Sequence, residues 1–567
     1  MDQHTGGDAV VDVLEQAGVQ VIFGIPSVHN LPIYEALRRR RTIRAITVRH
    51  EQAAAGAADG YARVTGDLGV FVTSTGPGAA NAMGGLLEAF VSGSPVLHLT
   101  GQVETRFLDG GRGFIHEVPD QPAMLESLSK EVFRAETAGD IAKVIAAAIS
   151  CALSAPRGPV SVELPIDLQY ALAGLVAPGE IAQALAPQPP SVPDHAALDS
   201  AASLLNACRR PLVWAGGGVV SGGAENEVAE LVRRLGAGLL TSPNGRGVID
   251  EGDPRCIGNL PWDPDVRELI RQADLLVAIG TRYQGPNTEN WKMELPERII
   301  QIDVTPERPG RNYEATIALA GDAKTVVTEL SGRLASPGAE DGWLARVAVA
   351  TQAARGRLRH VIGAQEALLD EMAAAVTAET VVVKDSTIPA YTWGNRLLPV
   401  HRSRRAIMPN GFAIGLGLPQ ALGAGAAAVA AGSAAPASPV LLMVGDGGFM
   451  LAATELATLA NERLPVVVIV FNDGGYGILR NIQDKQYGQG EGRIGVDLGQ
   501  PDFVGLAASL GVAAERVVSA EGFGKALRGA LAVAKPYLIE VDLTSIGPMS
   551  RPYTGTSRPP EAATKAE

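Results

Sequence analysis

Cysteine, charge and long apolar runs are all scarce in this chain. There are three cysteines among 567 residues, namely Cys151, Cys208 and Cys256. They lie far apart and form no CxxC pair, which excludes a disulfide scaffold or a zinc ribbon. Charged residues make up 19%, below the usual quarter. Acidic residues outnumber basic ones by 61 to 48, a formal net charge of -13. A nucleic-acid partner would need a basic face, so none is expected. The opening MDQHTGGDAVVDVLEQ has no basic segment followed by an apolar run, so we read no signal peptide and expect a cytoplasmic protein. One stretch, 406–445, carries no charge at all, yet Pro409, Pro419, Pro436, Pro439 and many glycines interrupt it. A membrane span needs ~20 consecutive strongly apolar residues. The stretch instead predicts a small-residue helix buried inside the protein and followed by a strand, with no membrane partner.

Glycine is abundant: 66 of 567 residues, about 12% against a usual ~7%. So much glycine points to tight strand-to-helix turns or to backbone that a ligand must approach. Short apolar runs such as GVFVTST (69–75), PVLHLT (95–100) and GPVSVEL (158–164) alternate with helix-like stretches. The alternation continues through PLVWAGGGV (211–219), DLLVAIGTR (274–282) and RIIQIDVTP (298–306). It returns in TVVVKD (380–385), PVLLMVGDGG (439–448), PVVVIVFND (465–473) and PYLIEVD (536–542). Alternating strands and helices predict parallel sheets covered on both faces. The Pro- and Ala-rich stretch 178–194 and the stretch 336–342 read as linkers. The fold class is therefore α/β, with three units at 1–177, 195–335 and 355–547 and a polar tail at 548–567. TGPGAANAMGGLLEA in the first unit and GDGGFMLAATELATL in the third share a plan of Gly-rich turn and small-residue helix, which suggests a duplication.

The sharpest local feature is VGDGG (444–448) followed by FNDGGYG (471–477). Each closes a strong apolar strand, and a helix-like segment joins them. A right-handed crossover brings both strand ends to one edge of the sheet. Asp446 and Asp473 then meet where α/β sheets bind ligands. Two carboxylates and a bare glycine carbonyl suit Mg2+, which takes oxygen ligands together with phosphate and water. Gly445, Gly447 and Gly448 let a diphosphate approach the backbone, and the following helix offers its N-terminal amides. Two ordinary strand-to-loop turns are the plain alternative, and the pairing of GDGG with an N-D-G-G turn weighs against it.

These motifs resemble the signature of thiamine diphosphate enzymes of the acetolactate synthase, 2-oxo acid decarboxylase and benzaldehyde lyase group. The resemblance spans nearly the whole chain. It implies a pyrimidine-binding first domain, a Rossmann-like middle domain and a diphosphate-binding third domain. It implies thiamine diphosphate and Mg2+ as cofactors, with Asp446, Asp473 and the carbonyl of Gly475 as metal ligands and Asn472 beside them. The family has asparagine where Asp473 stands, so the site here is more negative. VRHEQAAAGAADGYAR (48–63) is similar to the family segment that carries the catalytic glutamate, which puts Glu51 at the cofactor's aminopyrimidine. A glutamate at a helix start is otherwise a favourable dipole partner. TGPGAAN (75–81), with Gly76, Gly78 and Asn81, matches a loop near the pyrimidine. GFAIGLGLP (411–419) matches the segment that supports the bent cofactor, with Ile414 as the wedge. The resemblance further implies a homodimer or homotetramer with active sites at the subunit interface.

Two histidines bear on the reaction. His29 lies in GIPSVHNLPIYEAL (24–37) and His116 in GRGFIHEVPDQPAM (111–124), where this group carries active-site residues. Acetolactate synthases usually have glutamine at the position of His116. The pattern resembles 2-oxo acid decarboxylases of the guanidino-oxopentanoate type, and an imidazole near a carbanion can shuttle protons. Each is otherwise a structural histidine. Acetolactate synthases tend to carry tryptophan where Ile482 stands, and their flavin-binding Arg-Phe-Asp-Asp-Arg segment is absent, the local match being GTRYQGP (280–286). Both departures weigh against FAD, although AGGGV (215–219) could hold a nucleotide. The expected activity is non-oxidative decarboxylation of a small 2-oxo acid through an enamine, with or without carboligation. An acetolactate synthase-type carboligase is the alternative. A flavin-linked oxidase fits less well, and so does a non-catalytic partner subunit, since Glu51 is present.

Overall fold

The computed structural model describes residues 4–189, 191–335, 338–430, 439–488 and 492–555. It holds three six-stranded sheets, one per unit. The first runs from Val21–Gly24 to Val160–Pro165, the middle from Pro211–Ala215 to Ile317–Ala320, and the third from Val381–Lys384 to Tyr537–Asp542. Neighbouring strands are parallel, as in the pairing of Val440 with Val466 and of Gly69 with Val96. Numbered from its own first strand, the first sheet is ordered 2-1-3-4-6-5, and so is the third. The middle sheet reads 3-2-1-4-5-6, the doubly wound order of nucleotide-binding folds. Helices cover both faces, so central strands such as Val466–Asn472 are buried along their whole length.

Helix Glu51–Thr65 of the first unit packs on helix Gly417–Ala430 of the third. Their backbones touch: a Cβ on Gly60 would collide with the carbonyl oxygen of Gln420, and one on Gly423 with that of Ala57. Only glycine and alanine fit such a crossing, which accounts for the uncharged, alanine-rich sequence there. The expected buried helix is thus present, and the strand Val440–Gly445 follows it; residues 431–438 lie outside the described residues. Among the described residues no helix is long and apolar enough to cross a membrane.

Three segments differ from the sequence reading. Within the stretch read as a linker, Pro178–Leu185 forms a helix. Proline suits its first position, and the buried Ile181 docks it on helix Ile141–Leu153. Helix Trp343–Ile362 runs straight through position 355. Its Trp343 is buried in the core of the middle unit, with Nε1 donating to the Pro211 carbonyl at 3.0 Å. The helix that crosses the expected start of the third unit therefore lies on the middle one. The polar tail is tied down over 548–555: the Ser550 amide donates to the Val361 carbonyl at 3.0 Å, and Asn481 donates to the Tyr553 carbonyl at 3.0 Å. Residues 556–567 lie outside the described residues.

Candidate active site

In the third sheet Gly445 stands opposite Phe471, so Asp446 and Asp473 leave neighbouring strands almost level. Both line a cavity of about 530 Å3. Burial pushes the Asp446 carboxyl up to about 7, and the charge of Asp473 adds to the push. Burial raises Asp473 as well, with Arg480 acting against it. A buried and a half-buried carboxylate on one wall repel each other, and a divalent cation between them would favour both ionised forms. Among the described residues no group of three or more His, Cys, Asp or Glu side chains could hold a metal. Further oxygen ligands would have to come from backbone or from a bound ligand. Gly475 lies on the same wall, in a turn so close to Val496 that a Cβ would collide with its carbonyl oxygen. The carbonyl of Gly475 accepts the Gly477 amide at 3.0 Å and retains a second lone pair.

Asn472 is not on the wall. Its amide group donates to Glu540 at 2.9 Å, and its oxygen accepts the Gly474 amide at 3.0 Å. It braces the turn that carries Asp473 and Gly475. Gly445, Gly447 and Gly448 do line the cavity, and a Cβ on Gly447 would come within 2.5 Å of the Tyr476 ring. Ile414 lines it too, its Cγ1 only 3.3 Å from where a Cβ on Gly448 would stand. The Ile414 loop is held by Asp385, which sequence reasoning missed. This buried carboxylate accepts the amides of Gly415 at 3.1 Å and Gly417 at 2.8 Å. The signal was there in TVVVKD, an apolar strand ending on an acid. From the first unit, Glu88 accepts the amides of Asn410 and Gly411 and so anchors the start of the same loop. Burial and the charge of Asp59 push Glu88 up to about 7.

A second cluster surrounds the turn at 74–81 of the first unit. Asn81 donates to Glu51 Oε2 at 3.0 Å, and a Cβ on Gly78 would stand 3.5 Å from Glu51 Oε1. Glu51 is also the first residue of its helix, as the dipole reading expects. Gly76 has a φ of 58°, and a Cβ there would collide with the His116 carbonyl oxygen. His116 and His29 face each other with ring centres 5.1 Å apart. The Ser74 hydroxyl lies between them, 3.2 Å from His116 Nδ1 and 3.4 Å from His29 Nδ1. Burial, then the neighbouring His116, lowers the pKa of His29. Sequence reasoning missed Ser74, although it directly precedes the TGPG motif. Glu51, His29 and His116 are thus gathered around one loop.

The two clusters do not share a wall within the chain. The described residues lining the cavity come from the middle unit, the third unit and the tail, including Pro243, Trp262 and Gln284 from the first of these and Tyr553 from the last. Ile482, on helix Gly477–Tyr487, is among them. The AGGGV glycines serve packing: a Cβ on Gly218 would stand 2.6 Å from Gly280 Cα, and one on Gly216 would collide with the Gly280 carbonyl.

Comparison with known proteins puts each cluster in a domain of one family. Residues 4–124 match the N-terminal TPP binding domain of thiamine pyrophosphate enzymes, 198–330 their central domain, and 389–541 their C-terminal TPP binding domain. A probable acetolactate synthase large subunit of Methanocaldococcus jannaschii is 32% identical, over 94% of this chain and 91% of that protein. A probable 2-ketoarginine decarboxylase of Pseudomonas aeruginosa is 35% identical, over 95% and 94%. An acetolactate synthase of Mycobacterium bovis is 31% identical, over 90% and 83%. The chain belongs to the thiamine pyrophosphate enzyme family.

Proposed function

We propose that the protein is a Mg2+- and thiamine diphosphate-dependent enzyme that decarboxylates a small 2-oxo acid without oxidation. The observation that carries this reading is the Asp446–Asp473 carboxylate pair on a cavity wall that also contains Ile414. The residues fit the cofactor: a carboxylate pair in want of a cation, glycine backbone beside it, and an apolar wedge. Asp446, Asp473 and the Gly475 carbonyl would hold Mg2+. Gly445, Gly447 and Gly448 would face the diphosphate, and Asn472 would keep the turn in shape. When bound, the cofactor supplies the nucleophilic carbon and the electron sink that CO2 loss requires.

The chain's own residues do the rest. Glu51, oriented by Asn81 and the Gly76–Gly78 turn, would hold a proton at the aminopyrimidine ring nitrogen. His29 and His116, linked through Ser74, would move a proton at the product carbon. The product carbon takes up a proton; a neutral His29, kept so by burial, has one ring N–H to give and regains a proton through Ser74. Since Glu51 lies away from the cavity wall, the first unit of a second copy would complete the site, in a homodimer or homotetramer. FAD is not required by this reading, and a yellow purified protein would count against it. The name of the Pseudomonas relative supports decarboxylation. The acetolactate synthase relatives support the second reading, transfer of the acyl group to another carbonyl compound.

A panel of 2-oxo acids, with Mg2+ and thiamine diphosphate and with or without an acceptor aldehyde, tests both. The expected product by mass is an aldehyde that depends on both cofactors. Acyloin as the main product would favour the carboligase, and no product from any acid would reject the proposal.

A further inference from the structure

The cavity wall carries a charge that the proposed chemistry does not use. Asp446, Asp473 and Arg396 are the charged side chains among its described lining residues. Arg396 follows a π-helical turn at Ala390–Gly394, and its guanidinium carbon stands 3.7 Å above the Trp262 ring of the middle unit. Trp262 is itself fixed by its Nε1 donating to the Pro286 carbonyl at 3.2 Å. Stacking holds a guanidinium plane in place and leaves its edge N–H groups free for a planar acceptor.

Arg396 has no carboxylate partner among the described residues, and only the Tyr553 hydroxyl from the tail bears on it. Desolvation holds its pKa below the ordinary arginine range. The nearby Arg246 is different: it is buried in a bidentate pair with Glu251, at 2.7 and 2.6 Å. A desolvated cation without a counter-charge is costly, and it turns favourable when a ligand brings the anion. A cationic substrate side chain would meet repulsion here, with no carboxylate free to pair with it once the two aspartates hold a cation.

We propose that Arg396, stacked on Trp262, recognises an anionic group at the distal end of the substrate, so that the preferred 2-oxo acid carries a second acidic group rather than a basic or apolar one. This rests on the 2-oxo acid reading above. The test compares 2-oxoglutarate, 2-oxopentanoate and 5-guanidino-2-oxopentanoate with the Mg2+- and thiamine diphosphate-loaded enzyme. We expect kcat/KM to favour the dicarboxylate over the uncharged acid by about 10- to 100-fold, the range of one charge-assisted pair. The guanidino acid should be poorest. Arg396→Gln should bring the first two within a few-fold of each other, and Arg396→Lys should restore part of the preference. A separate readout is quenching of tryptophan fluorescence by glutarate against pentanoate, expected for glutarate alone and lost in Arg396→Gln. Wild-type preference for the uncharged or guanidino acid, or a preference unchanged in Arg396→Gln, overturns the proposal. If no acid is turned over while glutarate still binds in an Arg396-dependent way, the 2-oxo acid reading falls and the anion site stands.

Discussion

The first and third sheets share one strand order and differ in what stands at equivalent strand ends. After the first strand comes His29 in one and Asp385 in the other; after the second, Glu51 and Ile414. After the third strand come Gly76–Asn81 and Asp446, and after the fourth His116 and Asp473 with Gly475. Under the proposed function one set would handle protons, while the other would hold a cation and an anion. Topology determines where chemistry can stand, at the carboxyl ends beside the switch point. The loops determine which chemistry it is. The interiors differ too. His98, in the fourth strand of the first sheet, is buried between Thr73 and Ser161 at 2.9 and 3.1 Å and stacks on Phe71. The fourth strand of the third sheet, VVVIVFN, is apolar until its last residue.

Four experiments press on this division, from the largest effect to the smallest. Asp446→Ala removes the centre of the third-sheet site. Turnover should fall by about 10³-fold, equivalent to ~4 kcal/mol, with Mg2+ and thiamine diphosphate binding lost in calorimetry. Cofactor binding equal to wild type would end the metal assignment. Glu51→Gln removes the centre of the first-sheet site. Turnover should fall by about 10²- to 10³-fold, but here cofactor binding should survive. If both variants lose binding equally, the two sheets do not divide the work as described.

Gly423→Val strikes the contact between the two units instead of either site. The added side chain would meet the backbone of Ala57, and overpacking of this kind costs about 3 kcal/mol. A lowered urea midpoint for both units together is expected; an unchanged midpoint would mean that the crossing adjusts freely. The smallest effect concerns pH. Burial holds His98 down at about 3, from an ordinary 6.5. Below pH 6.5 the unfolded chain takes up a proton that the folded chain refuses, so this group makes stability fall as pH drops towards 3. The slope is at most about 1.4 kcal/mol per pH unit. His98→Val, which makes this strand resemble its third-sheet counterpart, should flatten that part of the stability profile between pH 6.5 and 5. A slope identical to wild type would place the titrating group elsewhere.

How much was legible beforehand depended on range along the chain. The central strands announced themselves as short apolar runs, because a doubly covered sheet needs both faces apolar; edge strands such as Arg44–Thr47 and Ala513–Val517, with polar and exposed residues, did not. The GDGG and NDGG turns were legible because the pair repeats one local geometry. Ser74 and Asp385 each lay at the end of a noticed strand run yet act through residues more than twenty positions away. Arg396 and Trp262 gave no local signal at all, since their relation is a stacking between two units. The helix Pro178–Leu185 was hidden by its own proline and alanine, and a single isoleucine docks it.

The sequence by itself determined the three α/β units, the family motifs and the residues able to carry the chemistry, because strand burial and tight turns write themselves in neighbouring residues. Only the tertiary structure decided that Glu51 does not join Asp446 among the described residues lining the cavity, that the AGGGV glycines serve packing, and that Arg396, with no carboxylate partner among the described residues, lines it. Those facts depend on which distant groups share a dielectric environment, and burial and pairing of charge are properties of the packed chain.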